Sequence, residues 1–263
     1  MNAFNHSEIN ALRRGRETPV QQRGMISSEL LDAMIASQFA TCYQPIIDVQ
    51  SSEVLGYEAC TQYRSRGGQT LRADRLYISL RDHPLLLLHL ELGLKKMQIT
   101  EFPGDGWLML DLNVDSFFAG GEGADNPILA LFRKYAWSER EIVVNLVQQD
   151  AQQDIWRSQQ VMETLQQSGL TVALEDAGIC WGMFSLNTFL SVAMVQFSSH
   201  ALRQLDSKAA QAMVDWLVGA ARKLGVQTVM TDVESCATLD WARKLGVDCV
   251  QGPLFARQNL QIS

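Results

Sequence analysis

Histidine is scarce in this chain, with only His6, His83, His89 and His200 present, and no two of them stand at metal-ligand spacing. No H-E-x-x-H pair, P-loop or G-x-S-x-G elbow occurs, so zinc-hydrolase, P-loop and serine-hydrolase chemistry have no carrier here. The five cysteines (Cys42, Cys60, Cys180, Cys236, Cys249) are scattered and include no C-x-x-C. Buried, reduced thiols are expected, not a disulfide framework or a zinc knuckle. A cationic excess is also missing: 22 Lys and Arg face 29 Asp and Glu, for a net charge of -7. That balance gives no sign of a non-specific nucleic-acid or anionic-membrane surface. The longest apolar run, Leu85 to Leu94, is broken by His89 and Glu91 and falls short of the roughly 20 residues a spanning helix needs. The N-terminus has no apolar signal-peptide core. A cytoplasmic protein with no membrane and no direct nucleic-acid partner is expected.

What is present suits one large globular unit. The chain has 263 residues, 47% of them hydrophobic and 19% charged, a length typical of a single α/β barrel. Residues 1–26 are polar and lack apolar periodicity, so a solvated, mobile tail is expected there, with residues 27–263 forming the domain. Ser27-Ser28 caps a short expected helix, Glu29 to Ser37. Tyr43 to Asp48 and Val54 to Ala59 read as two strands around a polar turn at Gln50 to Glu53. Pro84 opens a helical run to about Ile99.

From Trp107 on, strands and helices alternate. Strands are expected at Trp107–Asn113, Glu141–Val147, Leu170–Glu175, Val192–Phe197, Val226–Thr231 and Asp248–Gln251. Helices are expected from Asn126-Pro127, over Asp150–Ser168, Lys208–Leu224 and Ser235–Leu245. Such repetition argues for a parallel sheet with crossover helices. The residues with chemistry fall at strand C-termini, where barrels of this class carry their sites. Gly120-Gly121-Glu122-Gly123 reads as a flexible loop. Trp156 and Trp181 are candidate anchors for a protein partner.

Six dispersed motifs carry a more specific signal. In order they are Tyr43-Gln44-Pro45-Ile46, Gly56-Tyr57-Glu58-Ala59, Leu110-Asp111-Leu112-Asn113, Leu174-Glu175-Asp176-Ala177-Gly178, Val233-Glu234-Ser235 and Gln251-Gly252-Pro253-Leu254-Phe255. From about residue 35 to 257 the series resembles the EAL domains, bacterial phosphodiesterases that hydrolyse cyclic di-GMP. The resemblance implies an α/β fold: a (β/α)8-type barrel, similar to triosephosphate isomerase, with one strand reversed. It also implies two Mg or Mn ions, about 3.5–4 Å apart, held by a dense set of anionic oxygens.

Several positions depart from the family's pattern. Glu58 and Asn113 match its first two metal ligands. The next strand ends in Asn145-Leu146-Val147-Gln148, where the family has glutamates, so two carboxylates have become amides. Its paired aspartates are Glu175-Asp176, one lengthened by a methylene. Gln196 stands where the family keeps a lysine near the attacking water, and Thr231 replaces a glutamate while Glu234 keeps the second. Asp232, beside Thr231, is expected to point to the opposite face of the strand. Glu58, Asn113, Glu175 and Asp176 are thus read as a vestigial metal set. No cofactor is expected, or at most one weakly held Mg or Mn. With Asn145, Gln148, Gln196 and Thr231 replaced, hydrolysis is expected to be lost.

Ligand binding asks for less than catalysis. The arginine that the family sets against the dinucleotide phosphate is Gln62 here, which cannot give the bidentate contact; Arg64 lies two residues further on. Gln44, Glu58, Glu234 and Gln251 remain as polar groups able to bind the dinucleotide. The bulkier loop Ile179-Cys180-Trp181 comes after the paired acids, where family members pair, and the resemblance therefore allows a homodimer. The reading is a catalytically inactive, standalone EAL protein that binds another bacterial regulatory protein in signalling, motility or biofilm control, as some degenerate members bind flagellar transcription regulators. The alternatives are a cyclic di-GMP sensor that binds without hydrolysis, and a very weak phosphodiesterase.

Overall fold

A hairpin opens the fold. Strand β1 (Phe39–Asp48) and strand β2 (Val54–Arg64) run antiparallel, from Phe39 opposite Tyr63 to Ile47 opposite Val54, with a register shift at Ile46/Ile47. The computed structural model describes residues 39–64, 70–71, 80, 83–136, 141–147, 154–175, 186–204 and 208–261. The hairpin turn is held by Asp48, whose Oδ1 accepts the backbone N–H groups of Gln50 (2.9 Å) and Ser51 (2.6 Å). Both strands run further than their apolar alternation suggested: β1 begins before Tyr43, and β2 passes Ala59 because its outer residues find partners across the ladder as far as Tyr63.

The remaining elements come in βα order. A two-residue strand β3 (Thr70–Leu71) pairs with the end of β2. Helix α1 (Pro84–Thr100) starts on Pro84, whose fixed φ suits the first helical turn. Then come β4 (Trp107–Asn113), α2 (Val114–Ala119), α3 (Pro127–Ala136), β5 (Ile142–Val147), α4 (Asp154–Gln167), β6 (Thr171–Glu175), α5 (Leu186–Ser191), β7 (Met194–Ser198) and α6 (Ser199–Arg203). Helix α7 (Lys208–Leu224), β8 (Gln227–Thr231), α8 (Cys236–Leu245), β9 (Cys249–Val250), a 3-10 turn (Pro253–Gln258) and β10 (Leu260–Gln261) complete it.

Hydrogen bonding closes the sheet into a barrel. The order β1-β9-β8-β7-β6-β5-β4-β2 returns to β1, so eight strands form a ring, with β10 and β3 paired outside it. Strand β1 is antiparallel to both neighbours, β2 and β9, while every other pair within the ring is parallel. The expected barrel with one reversed strand is the observed fold. The short helices α2, α5 and α6 were not expected, because each spans only five or six residues and two begin directly at a strand end. The tail at residues 1–26, the helix expected at 29–37 and the start of the glutamine-rich helix at 150–153 lie outside the described residues.

Strand alternation divides the apolar residues into two layers. One face of each strand packs against the helices in a large core that includes Tyr43, Ala59, Leu110, Leu112, Val144, Leu146, Val172, Leu174, Val195 and Phe197. The other face points into the barrel, where Ile46, Met109, Val143, Ala173, Met194, Val229 and Cys249 meet in a smaller cluster. These seven, with Gly56 opposite Ile46 in the same layer, form the barrel's floor. The expectation of buried thiols holds for Cys42 and Cys249; Cys60 is half-buried and Cys236, at the start of α8, is exposed. Cys180 lies outside the described residues.

Candidate functional site

Because strand side chains alternate, the next inward layer lies two residues beyond each floor residue. Stepping from Ile46 to Gln44 on the reversed strand, and from Gly56, Met109, Val143, Ala173, Met194, Val229 and Cys249 on the others, gives Gln44, Glu58, Asp111, Asn145, Glu175, Gln196, Thr231 and Gln251. All eight are polar. Gln44, Glu58, Asn145, Glu175, Gln196 and Gln251 are buried, while Asp111 and Thr231 are partly exposed. Three of the ring's side chains are carboxylic acids and none is cationic. The arrangement is a polar collar at the C-terminal ends of the parallel strands, the catalytic end of barrels in general.

The collar residues bond to one another. Gln251 Nε2 donates to Glu58 Oε2 at 2.7 Å, and Gln44 faces Glu58 directly across the β1–β2 ladder. Asn145 Nδ2 donates to Asp111 Oδ1 at 2.8 Å, while the fully buried Asn145 Oδ1 has no hydrogen-bond partner among the described residues. Gln196 Nε2 lies 2.7 Å from Met109 Sδ, so this amide reaches down to the floor. Thr231 Oγ1 makes a long contact to the Phe197 carbonyl, at 3.4 Å. Gly252 fixes the backbone just after Gln251: it has φ +154, and a Cβ there would stand 2.3 Å from the Val233 nitrogen, so only glycine fits.

Other expected residues sit elsewhere. Asn113 is buried at the end of β4, but its Oδ1 accepts the N–H groups of Asp115 (2.8 Å) and Ser116 (3.2 Å) and caps helix α2. An amide oxygen has two lone pairs, and both face backbone donors here. Glu234 lies on the exposed rim, where its Oε1 is 3.1 Å from His200 Nε2. Gln62 is half-buried near the mouth. The side chain of Arg64, Gln148, Asp176 and the loop 177–181 lie outside the described residues.

Asp232 does not point away from the site. Strand β8 ends at Thr231 and Asp232 adopts φ +64, so strand alternation no longer governs its direction. Aspartate tolerates this left-handed conformation better than most side chains. Its buried carboxylate accepts from Ser198 Oγ at 2.6 Å, and its carbonyl accepts from Ser199 Oγ at 2.9 Å. Ser198 is the Cα partner of Thr231 across β7 and β8, so a carboxylate stands beside the position whose expected glutamate is a threonine.

The sequence marks Asp111 only as part of the Leu110-Asp111-Leu112-Asn113 motif, not as a site residue. It lies two residues before Asn113, and the same alternation that places Asn113 inward places Asp111 beside Asn145.

Two divalent cations would need several anionic oxygens converging with free lone pairs. Among the described residues, no three of His, Cys, Asp and Glu come together as a metal-holding group. Asn113 is spent on a helix cap, Glu58 takes a hydrogen bond from Gln251, and Asn145 brings an uncharged oxygen. As placed, these three do not supply the free anionic oxygens of a two-metal centre.

The closed barrel with one reversed strand, and the polar ring at its C-terminal end, define a class of barrel domains. Over residues 27–258 the chain matches the EAL domain family, and it belongs to that family. It is 22% identical over 239 residues to the Escherichia coli (strain K12) protein named Probable cyclic di-GMP phosphodiesterase PdeB. That match takes in 87% of this chain and 44% of the relative, so the chain spans less than half the relative's length. Among solved structures, the Xanthomonas citri FimX EAL domain in complex with c-diGMP superposes with a TM-score of 0.69 at 16% identity, covering 96% of each chain. The manganese/cy-diGMP complex of Klebsiella pneumoniae BlrP1 gives a TM-score of 0.64 at 18% identity, covering 82% of this chain and 55% of that one. At these identities the likeness speaks for the fold. Among the described residues, no helix is long and apolar enough to cross a membrane.

Proposed function

We propose that this EAL-family chain is a regulatory protein that does not hydrolyse cyclic di-GMP and acts by binding another bacterial protein in signalling, motility or biofilm control. The observation that carries this reading is the pairing inside the collar. Gln251 holds Glu58, Asn145 holds Asp111, and Gln196 turns to the floor. Two of these amides, Asn145 and Gln196, occupy places where hydrolysis needs an anionic ligand and a group that orients or deprotonates water. Trp156 supports the protein-binding side of the reading: it is 78% exposed on α4, and exposed tryptophans are frequent anchors of interfaces.

A sensor that binds cyclic di-GMP without cleaving it is the second reading. It is favoured by the Asn145 carbonyl, a buried acceptor with no partner among the described residues, and by the buried polar trio Gln44, Glu58 and Gln251. The FimX EAL domain, similar in fold, was solved with this dinucleotide bound.

Calorimetric titration of cyclic di-GMP into the purified chain, with and without Mg, separates the two readings. No heat in either buffer leaves a protein-binding scaffold. Saturable heat that falls in Gln44→Ala and Gln251→Ala makes the collar a sensor site. A pull-down with the parent and with Trp156→Ala then tests the anchor; equal capture by both rules Trp156 out as one.

A further inference from the structure

The β1–β2 ladder sets two thiols face to face. Cys42 and Cys60 are direct Cα partners across the antiparallel pair, and both are reduced. Opposite residues of a ladder project to the same face. The pairs Ile46/Gly56, Gln44/Glu58, Cys42/Cys60 and Ala40/Gln62 therefore stack in one column from the barrel floor to its mouth. Cα atoms of directly opposed antiparallel residues are about 4.5 or 5.5 Å apart, depending on the pair type. A disulfide accepts Cα separations of about 4.4–6.8 Å, a range that takes in both pair types.

We propose that Cys42 and Cys60 form a reversible dithiol–disulfide pair at the barrel mouth, an oxidative modification site directly above the Gln44–Glu58 pair. Burial divides the roles. Cys60 is half-buried and Cys42 is buried, so Cys60 is the more accessible of the two sulfurs. A peroxide is the oxidant. The Cys60 sulfur attacks the O–O bond, forming a sulfenic acid and releasing one water. The Cys42 sulfur then attacks that sulfur, an S–S bond forms, the S–O bond breaks and a second water leaves. Two thiols lose two electrons in all, and one peroxide becomes two waters. The bridge ties the reversed strand to β2 one layer above Glu58 and narrows the way into the collar. Cys249 differs: it is fully buried on the floor, and burial, then the charges of Asp248 and Asp48, push its thiol up to about 12, leaving it inert.

The test treats the full chain, and a Cys236→Ser variant that removes the exposed thiol, with hydrogen peroxide. Remaining thiols are blocked with an alkylating agent, and the digest is mapped by mass spectrometry without reduction. The proposal expects a peptide cross-linked between Cys42 and Cys60 in both proteins, these two thiols lost to alkylation, and their full recovery with dithiothreitol. In Cys42→Ser, and in the milder Cys42→Ala, Cys60 should be trapped by a sulfenic-acid reagent. Both thiols still alkylated after peroxide has oxidised Cys236 would overturn the proposal, as would cross-links that join other cysteines. Dinucleotide binding is not part of the readout, so the result is independent of which proposed function holds.

Discussion

Replacing Asn145 by aspartate changes one atom and no volume, yet it should be expensive. Asn145 is fully buried, and its Nδ2 donates to Asp111 Oδ1 at 2.8 Å. In Asn145→Asp the donor becomes a second carboxylate facing the first. Two such charges about 4 Å apart repel by about 4 kcal/mol at an effective dielectric of 20. The pair escapes by keeping one proton, which can then serve the bond that the amide made. Holding a proton at pH 7 on a carboxyl that normally titrates near 4 costs about 4 kcal/mol, three units at 1.36 kcal/mol each. The two figures agree and set a ceiling. Asp111 is partly exposed, so water trims the cost to about 2–4 kcal/mol at pH 7.

The sign of the pH dependence comes from the raised folded-state value. The folded variant keeps a proton that the unfolded chain releases, so its stability relative to the parent falls as pH rises from about 4 to 7. At pH 5 the ceiling drops to about 1 kcal/mol. Urea unfolding of parent and variant at pH 5 and pH 7 reads both numbers, provided the slope with denaturant is unchanged. A variant as stable as the parent at both pH values would refute the Asp111–Asn145 pairing and the collar built on it.

The other expectations are simpler. Glu91 and Lys95 form an i,i+4 ion pair at 3.5 Å on α1, both buried, and neither Glu91 oxygen has a hydrogen-bond partner among the described residues. Lys95→Met strands the carboxylate and should cost about 3–5 kcal/mol in chemical denaturation, whereas Glu91→Leu with Lys95→Met should be neutral or stabilising; a double variant weaker than the single would count against this. Gln251→Leu removes a donor to the buried Glu58 carboxylate and should cost about 1.5–3 kcal/mol by the same measurement. Asp48 has its carboxyl held below its ordinary value, chiefly by the Ser51 N–H group and against the effect of burial. Its share of stability is therefore complete above the ordinary carboxylate value and fades as pH falls through the lower folded value. Asp48→Asn should flatten this acid limb of the melting curve, and an unchanged limb would show that Asp48 plays no part in it.

The alternation of strands and helices made the barrel readable. Strands β4 to β8 are short, largely apolar runs buried on both faces, and helices flanking this stretch carry proline, serine or glycine at their ends, as at Pro84, Ser235 and Gly246. The short helices escaped for want of length: five or six residues cannot show a helical period. Most of the collar was legible as well, since Gln44, Glu58, Asn145, Glu175, Gln196, Thr231 and Gln251 lie in or next to strands that the sequence marks. Asp111 was not, because Asn113 is the residue that matches a metal ligand in that motif and the floor residues that define the layer emerge only once the barrel closes. Asp232 was misplaced because strand alternation was extended one residue past the end of β8, where φ turns positive. The cap on Asn113 depends on where α2 begins, which propensity alone does not reveal.

The central claim is that this EAL barrel has lost hydrolysis while keeping its polar collar. The most direct measurement incubates the purified chain with cyclic di-GMP and Mg or Mn and monitors the linear dinucleotide by chromatography. The account predicts no product above the protein-free control in either metal. Steady, metal-dependent release of linear product that disappears in Glu58→Gln would contradict it and return the collar to catalysis.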